Sequence, residues 1–206
     1  MIRSKKEMRF YIQADYMMNR GYFKPNFWCK LKNIFFPDHI MKFLVLMRRL
    51  QYYSNSGRLY RGVFVFNAVR YKRLSVKLGF SIGYRVFGYG LVIPHYGTIV
   101  VGDSNRIGNY CVLHTSTCIS DNQKIIGDGL YVATGVKMTS RVTLGNNISI
   151  GANSLVNKSV CGDNLLLVGS PASLNPPPAK TWYIRDGEQY TKRVREIEDQ
   201  RARLNL

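Results

Sequence analysis

The side chains in this sequence best suited to moving a proton near neutral pH are its three histidines. Two of them sit nineteen positions apart in aliphatic surroundings: His95 in GLVIPHYGTIVVG (residues 90–102) and His114 in CVLHTSTCI (residues 111–119). An imidazole in such a run reads two ways. It is either a core histidine satisfied by a backbone carbonyl or a base held at the rim of a packed core, where it could take a proton from a hydroxyl as that hydroxyl attacks an activated acyl group. His39 stands apart, in a basic N-terminal stretch. Cys29, Cys111, Cys118 and Cys161 form no CxxC pair and have no ligand-like spacing to histidine, so neither a zinc site nor a disulfide framework is expected. With reduced thiols, no apolar leader and no long apolar span in the sequence, a cytosolic location is the expectation.

The element that must position these histidines is a repeat. From residue 101 onward an aliphatic residue recurs every sixth position: Val101, Ile107, Leu113 and Ile119, then Ile126, Val132, Met138, Leu144, Ile150 and Val156, with Val168 two steps on. Glycine often follows it, and a small or β-branched residue lies four positions after it, as at Cys111, Thr117, Val136, Val142, Ser154 and Val160. An amphipathic helix drifts out of phase with a period of six, and a sandwich strand alternates by twos. The repeat therefore predicts a mainly β protein, a parallel β-helix whose coils stack their aliphatic residues on one another. The single step of seven between Ile119 and Ile126 predicts one extra residue in SDNQK.

These motifs resemble the hexapeptide-repeat acyltransferases. GLVIPHYGTIVVG, IGDGLYVATGVKM (126–138) and IGANSLVNKSV (150–160) are similar to stretches of the serine acetyltransferase-like branch, and VGSPAS (168–173) resembles the GVPA that closes the helix in many members. The resemblance covers residues 80–175. It implies a left-handed β-helix of three hexapeptides per coil, a homotrimer, acetyl-CoA as acyl donor, and His95 as general base in an O-acetyltransferase reaction. With eighteen residues per coil, residue 113 would stack on residue 95 and bring His114 within several Å of His95, where it could orient the acceptor. The same arithmetic aligns Thr134, Ala152 and Ser170 along the path of the pantetheine arm. Lys137 and Lys158 are candidates for the CoA phosphates.

Two positions depart from the branch. Its serine-specific members place a carboxylate upstream of the catalytic histidine and a second histidine before the next coil, and these positions hold Phe80 and Gln123. The expected acceptor is accordingly a saccharide hydroxyl in capsule or exopolysaccharide synthesis, lipid-linked or nucleotide-linked, with serine or another small molecule as the alternative. A non-catalytic scaffold is a third reading.

The flanks complete the picture. Of a net charge of +18, residues 1–80 carry +14, from 17 basic and 3 acidic side chains, interleaved with Tyr, Phe and Trp. Such a field suits anionic lipid or phosphorylated ligands, while no nucleic-acid-binding motif is present. A basic, helical N-terminal segment (1–79) is expected, with His39–Tyr53 an amphipathic helix presenting Ile40, Phe43, Leu44, Met47 and Leu50. Either core packing or, through Arg48 and Arg49, peripheral contact with a membrane's inner face would account for it. After prolines 176–178 the tail (176–206) reads as a charged helix in which Glu188–Lys192 and Arg195–Asp199 could pair.

Overall fold

The computed structural model describes residues 2–206. Four α-helices come first: α1 (Lys5–Arg20), α2 (Phe27–Phe35), α3 (His39–Tyr53) and α4 (Arg61–Leu78). The chain then winds into a left-handed parallel β-helix of about five turns with three faces. Face one stacks β1 (Phe80–Ile82), β2 (Ile99–Val101), β5 (Thr117–Ile119), β8 (Lys137–Met138) and β11 (Leu155–Val156). Face two stacks β3 (Arg106–Ile107), β6 (Ile125–Ile126) and β9 (Thr143–Leu144). Face three stacks β4 (Val112–Leu113), β7 (Tyr131–Val132), β10 (Ser149–Ile150) and β12 (Leu166–Gly169), and closes with β13 (Ala172–Leu174) running antiparallel to β12. A short helix, α5 (Trp182–Arg185), and a longer one, α6 (Glu188–Arg203), end the chain.

The period-six aliphatics point inward and form one continuous core, from Val101 to Val156 without an exposed member. Glycine follows them because the next coil passes directly overhead: a Cβ on Gly102 would overlap the backbone of Asp121, and one on Gly145 the backbone of Gly162. The coil length is not constant. Leu113 pairs with Val132 across nineteen residues, because SDNQK holds its extra residue as a bulge with Gln123 at φ +52°. Val132 pairs with Ile150 across eighteen, but Ile150 pairs with Leu167 across seventeen. Leu167, not Val168, is therefore the buried residue of the last coil. The sequence period overran the chain by one residue there.

A solenoid exposes its apolar bore at each end unless something covers it. Here α3 and α4 cap the N-terminal end. Phe43 stacks on Tyr71 with ring centroids 4.5 Å apart and meets Phe80 edge-on at 5.1 Å, while the Tyr71 hydroxyl donates to the Ile82 carbonyl at 2.8 Å. The amphipathic reading of α3 holds for Ile40, Phe43, Leu44, Met47 and Leu50, all buried. Its membrane alternative does not: Arg48 is fully buried, with Nε and Nη2 on the two Asp15 carboxylate oxygens at 2.7 and 3.0 Å. Its remaining hydrogen bonds go to Gln51 Oε1 and to the carbonyls of Phe87 and Gly88. Five bonds match the five N–H groups of a guanidinium. Burial pushes the Asp15 carboxyl up from the ordinary carboxylate range, against the pull of Arg48 and of the Leu91 and Gly90 amides.

The tail packs on face three beside α1. The Trp182 indole, buried, donates to the Tyr110 carbonyl at 2.8 Å, and Glu198 accepts from the hydroxyls of Tyr89 and Tyr110. The expected pairs Glu188–Lys192 and Arg195–Asp199 do not form; Glu198 is drawn toward face three, and Arg201 follows it at 3.5 Å.

Removing one partner of a buried, fully bonded ion pair strands the other charge. Arg48→Ala is expected to lower unfolding stability by about 3–5 kcal/mol, read as a shift of the urea midpoint by circular dichroism. A loss below about 1 kcal/mol, typical of a surface pair, would contradict the placement.

Candidate active site at the corner between faces three and one

After each face-three strand the chain turns a corner onto face one, and register shows which residues share that corner. Leu113, Val132, Ile150 and Leu167 are successive register partners, so His114, Ala133, Gly151 and Val168 follow them in line, and then Thr115, Thr134, Ala152 and Gly169. His95 occupies the same corner one coil earlier. Val92 pairs with Val112, and the carbonyl of Thr98 accepts from the Ser116 amide at 2.7 Å, so residues 94–96 form a bulge two residues longer than its neighbour. Residue 113 thus stacks on Ile93 rather than on residue 95, and the bulge projects His95 outward above His114.

The aliphatic run around His95 is core only as far as Ile93; Pro94, His95 and Tyr96 are exposed. Among the described residues no side chain or carbonyl bonds the His95 imidazole. Its backbone, in contrast, is fixed on both flanks by the helical segment. Asn19 of α1 donates to the Leu91 carbonyl at 2.8 Å and accepts from the Ile93 amide at 3.3 Å. Asp15 accepts from the Leu91 amide at 3.0 Å, and the Gly97 amide donates to the Leu78 carbonyl at the end of α4 at 2.9 Å. Gly97 at φ +141° lets the chain return to face one, where a Cβ would press to 3.2 Å from Thr115 Cγ2.

His114 is half-buried, and its pKa is lowered by burial and then by the nearby positive form of His95; Asp186 opposes and Arg185 adds to the depression. Burial and the His95 charge therefore both favour the neutral imidazole. Its ring centroid lies 5.3 Å from that of Tyr131, over which the Arg185 guanidinium sits at 4.4 Å. Arg185 is steadied by Asp186 at 2.7 Å and by the Ser149 hydroxyl at 3.3 Å. The tail thereby delivers a cation and a carboxylate to His114, beside the aromatic face that Tyr131 of β7 presents. Sequence reasoning missed Tyr131, Arg185 and Asp186. Tyr131 was recoverable from the repeat, being the residue before the inward Val132, but nothing local in WYIRDG announces where it docks.

The remaining sequence candidates divide. Thr134 and Ala152 are exposed on this corner, eighteen residues apart, and leave it free of bulky side chains. Ser170 is not their equivalent, because the seventeen-residue last coil puts Gly169 in that place. Lys137 begins β8 next to the corner, but its ammonium donates to the carbonyls of Ser116 and Gly135. Lys158 follows β11 at the next corner, between faces one and two, away from the histidines. Phe80 is a core residue beneath Phe43, and Gln123 is exposed in its bulge, its backbone N–H donating to the Ser104 hydroxyl at 3.0 Å.

No family model matches the chain. Among curated proteins it is 26% identical to a serine acetyltransferase of Synechococcus elongatus over 137 residues, 58% of this chain and 56% of that one. It is 31% identical to a serine acetyltransferase of Staphylococcus xylosus over 94 residues, 42% of this chain and 41% of the relative. The chain thus spans about half the length of the curated relatives it matches, or less. Among solved structures, serine acetyltransferase of Neisseria gonorrhoeae superposes with a TM-score of 0.63 at 20% identity, over 90% of this chain and 72% of that one. A serine acetyltransferase in complex with CoA superposes at 0.61 and 19% identity, over 82% and 68%. These likenesses share the fold described above.

The electrostatics of the pair are directly measurable by NMR titration of the imidazole protons. His114 is expected to titrate below an ordinary histidine, to move up in His95→Ala, where the repelling charge is gone, and to move further down in Asp186→Asn. A His114 titration indifferent to His95→Ala would show that the two imidazoles do not share the corner.

Proposed function

We propose that the chain is an O-acetyltransferase that moves an acetyl group from acetyl-CoA to the hydroxyl of a small acceptor, with His95 as general base. The observation that carries the reading is the exposed His95 imidazole on a backbone pinned at Leu91, Ile93 and Gly97, at the head of a corner whose later members are Thr115, Thr134 and Ala152. A hydroxyl attacking a thioester must lose its proton as the C–O bond forms, and an unbonded imidazole open to solvent is free to accept it. The acetyl carbonyl becomes a tetrahedral oxyanion, which then expels the CoA thiolate. No covalent intermediate on the protein is needed.

His114, half-buried in surroundings that favour its neutral form, serves in this reading as a hydrogen-bond partner that orients the acceptor rather than as a second charge. CoA lies as a substrate along the corner past Thr134 and Ala152, with its arm crossing a surface that carries no large side chain. Lys137 has one ammonium proton left after its two carbonyl bonds. A homotrimer, in which a groove between copies would hold CoA, belongs to the same proposal.

For the acceptor, the names of the curated relatives favour serine over the saccharide expected from the sequence. One observation keeps the saccharide as a second reading. The positions where the serine-specific resemblance implies a carboxylate and a histidine are here a buried phenyl ring and an exposed amide.

Thiol release from acetyl-CoA with L-serine as sole acceptor separates the cases. Serine-dependent turnover is expected, and His95→Ala is expected to lower kcat/KM by about 10²–10⁴-fold, the range of a lost general base. Turnover that survives the substitution would overturn the role of His95. CoA release no faster than hydrolysis with serine, but accelerated by nucleotide-linked or lipid-linked sugars, would assign the saccharide acceptor.

A further inference from the structure

We propose that α2 docks the protein on the surface of an anionic lipid bilayer, lying in the plane of the interface. This helix is the one α-helix of eight or more residues that buries none of its side chains among the described residues. Phe27, Trp28, Ile34, Phe35 and the adjoining Phe36 are each 70–75% exposed, and Leu31 joins them at 39%. At 100° per residue, positions 27, 28, 31, 34 and 35 fall within one arc of about 120°. Lys30 and Lys32 flank that arc on its two sides. The helix is nonetheless well made: Asn26 caps it by accepting from the Cys29 amide at 2.8 Å. A rigid helix showing water an aromatic face is the arrangement of an interfacial anchor.

Charge decides between a bilayer and another copy of the chain. No acidic residue occurs between Asp15 and Asp38, and residues 39–102 hold ten Lys and Arg with no Asp or Glu. On α4, the exposed Val65, Val69 and Val76 form a second apolar stripe hemmed by Lys72 and Arg73. Two copies meeting through such surfaces would bring uncompensated cations together, whereas anionic headgroups neutralise them, each lysine near the surface strengthening the attraction. Among the described residues no helix is long and apolar enough to cross a membrane; α2, about 14 Å long at 1.5 Å per residue, lies on the bilayer rather than through it. Of the two readings of α3 in the sequence, the one through Arg48 is excluded by its burial, and the proposed contact moves to α2.

The docking does not depend on the reaction read at His95, and vesicle binding needs no acceptor, so either can fail alone. The test is flotation of the full chain with vesicles of equal parts phosphatidylcholine and phosphatidylglycerol, against vesicles of phosphatidylcholine alone. Trp28 also reports directly, since the only other tryptophan, Trp182, is buried and its emission stays constant. The expected results are flotation with the anionic vesicles, a blue shift of Trp28 emission, and at least about tenfold weaker binding by Lys30→Glu with Lys32→Glu. Phe27→Glu with Phe35→Glu, which replaces no buried side chain, is expected to abolish the blue shift. No flotation of the parent chain, or flotation unchanged in both double variants, overturns the proposal. A parent that fails to float but loses mass by light scattering in Phe27→Glu with Phe35→Glu would show that α2 joins copies of the chain instead.

Discussion

The guanidinium of Arg48 ties α1, α3 and the first coil to one another at a single buried point. It bonds Asp15 of α1, Gln51 of its own helix, and the carbonyls of Phe87 and Gly88 in the first coil. Asp15 extends the tie by accepting from the Leu91 amide, and Asn19, one helical turn on, takes both the carbonyl of Leu91 and the amide of Ile93. A buried pair of this kind adds little net stability compared with an apolar replacement, but its geometry is demanding. We read it as a device for position: it sets the first coil against the helices and so determines where the bulge bearing His95 emerges.

The β-helix supplies the second half of the arrangement. Each coil repeats the path of the one before, so residues at one corner form a line with a spacing of about 4.8 Å. Small exposed residues at that corner make an unobstructed track, and the two-residue excess at positions 94–96 raises one histidine at its head. The C-terminal tail, anchored by Trp182 and Glu198, then lays Arg185 over the face of Tyr131 of β7 and brings Asp186 beside His114. Helices before and after the solenoid thus converge on one corner, and the corner is where the chemistry is assigned.

The repeat itself was legible because every inward position is aliphatic and every coil is nearly the same length. Where coil length changes, arithmetic on the sequence misleads: it placed residue 113 over residue 95 and Ser170 over Ala152, and both assignments fail by the residues gained in the 94–96 bulge or lost before Leu167. The extra residue in SDNQK could be seen because it interrupts the aliphatic series itself. Arg48 could not be recognised as buried, since its acidic partner lies 33 residues earlier in a different helix. For the same reason α3 resembled an interfacial helix while α2, whose aromatics were counted only as part of a basic segment, did not stand out. Arg185 and Asp186 reach His114 across more than 70 residues, a contact that no local pattern encodes.

The central claim is that the corner between faces three and one is where acyl donor and base meet. A crystal structure of the chain with CoA bound tests it most directly. The account expects the CoA sulfur at that corner, within reach of the His95 imidazole, with the pantetheine arm passing Thr134 and Ala152. A sulfur bound at either of the other two corners, or an arm that avoids Thr134 and Ala152, would contradict it.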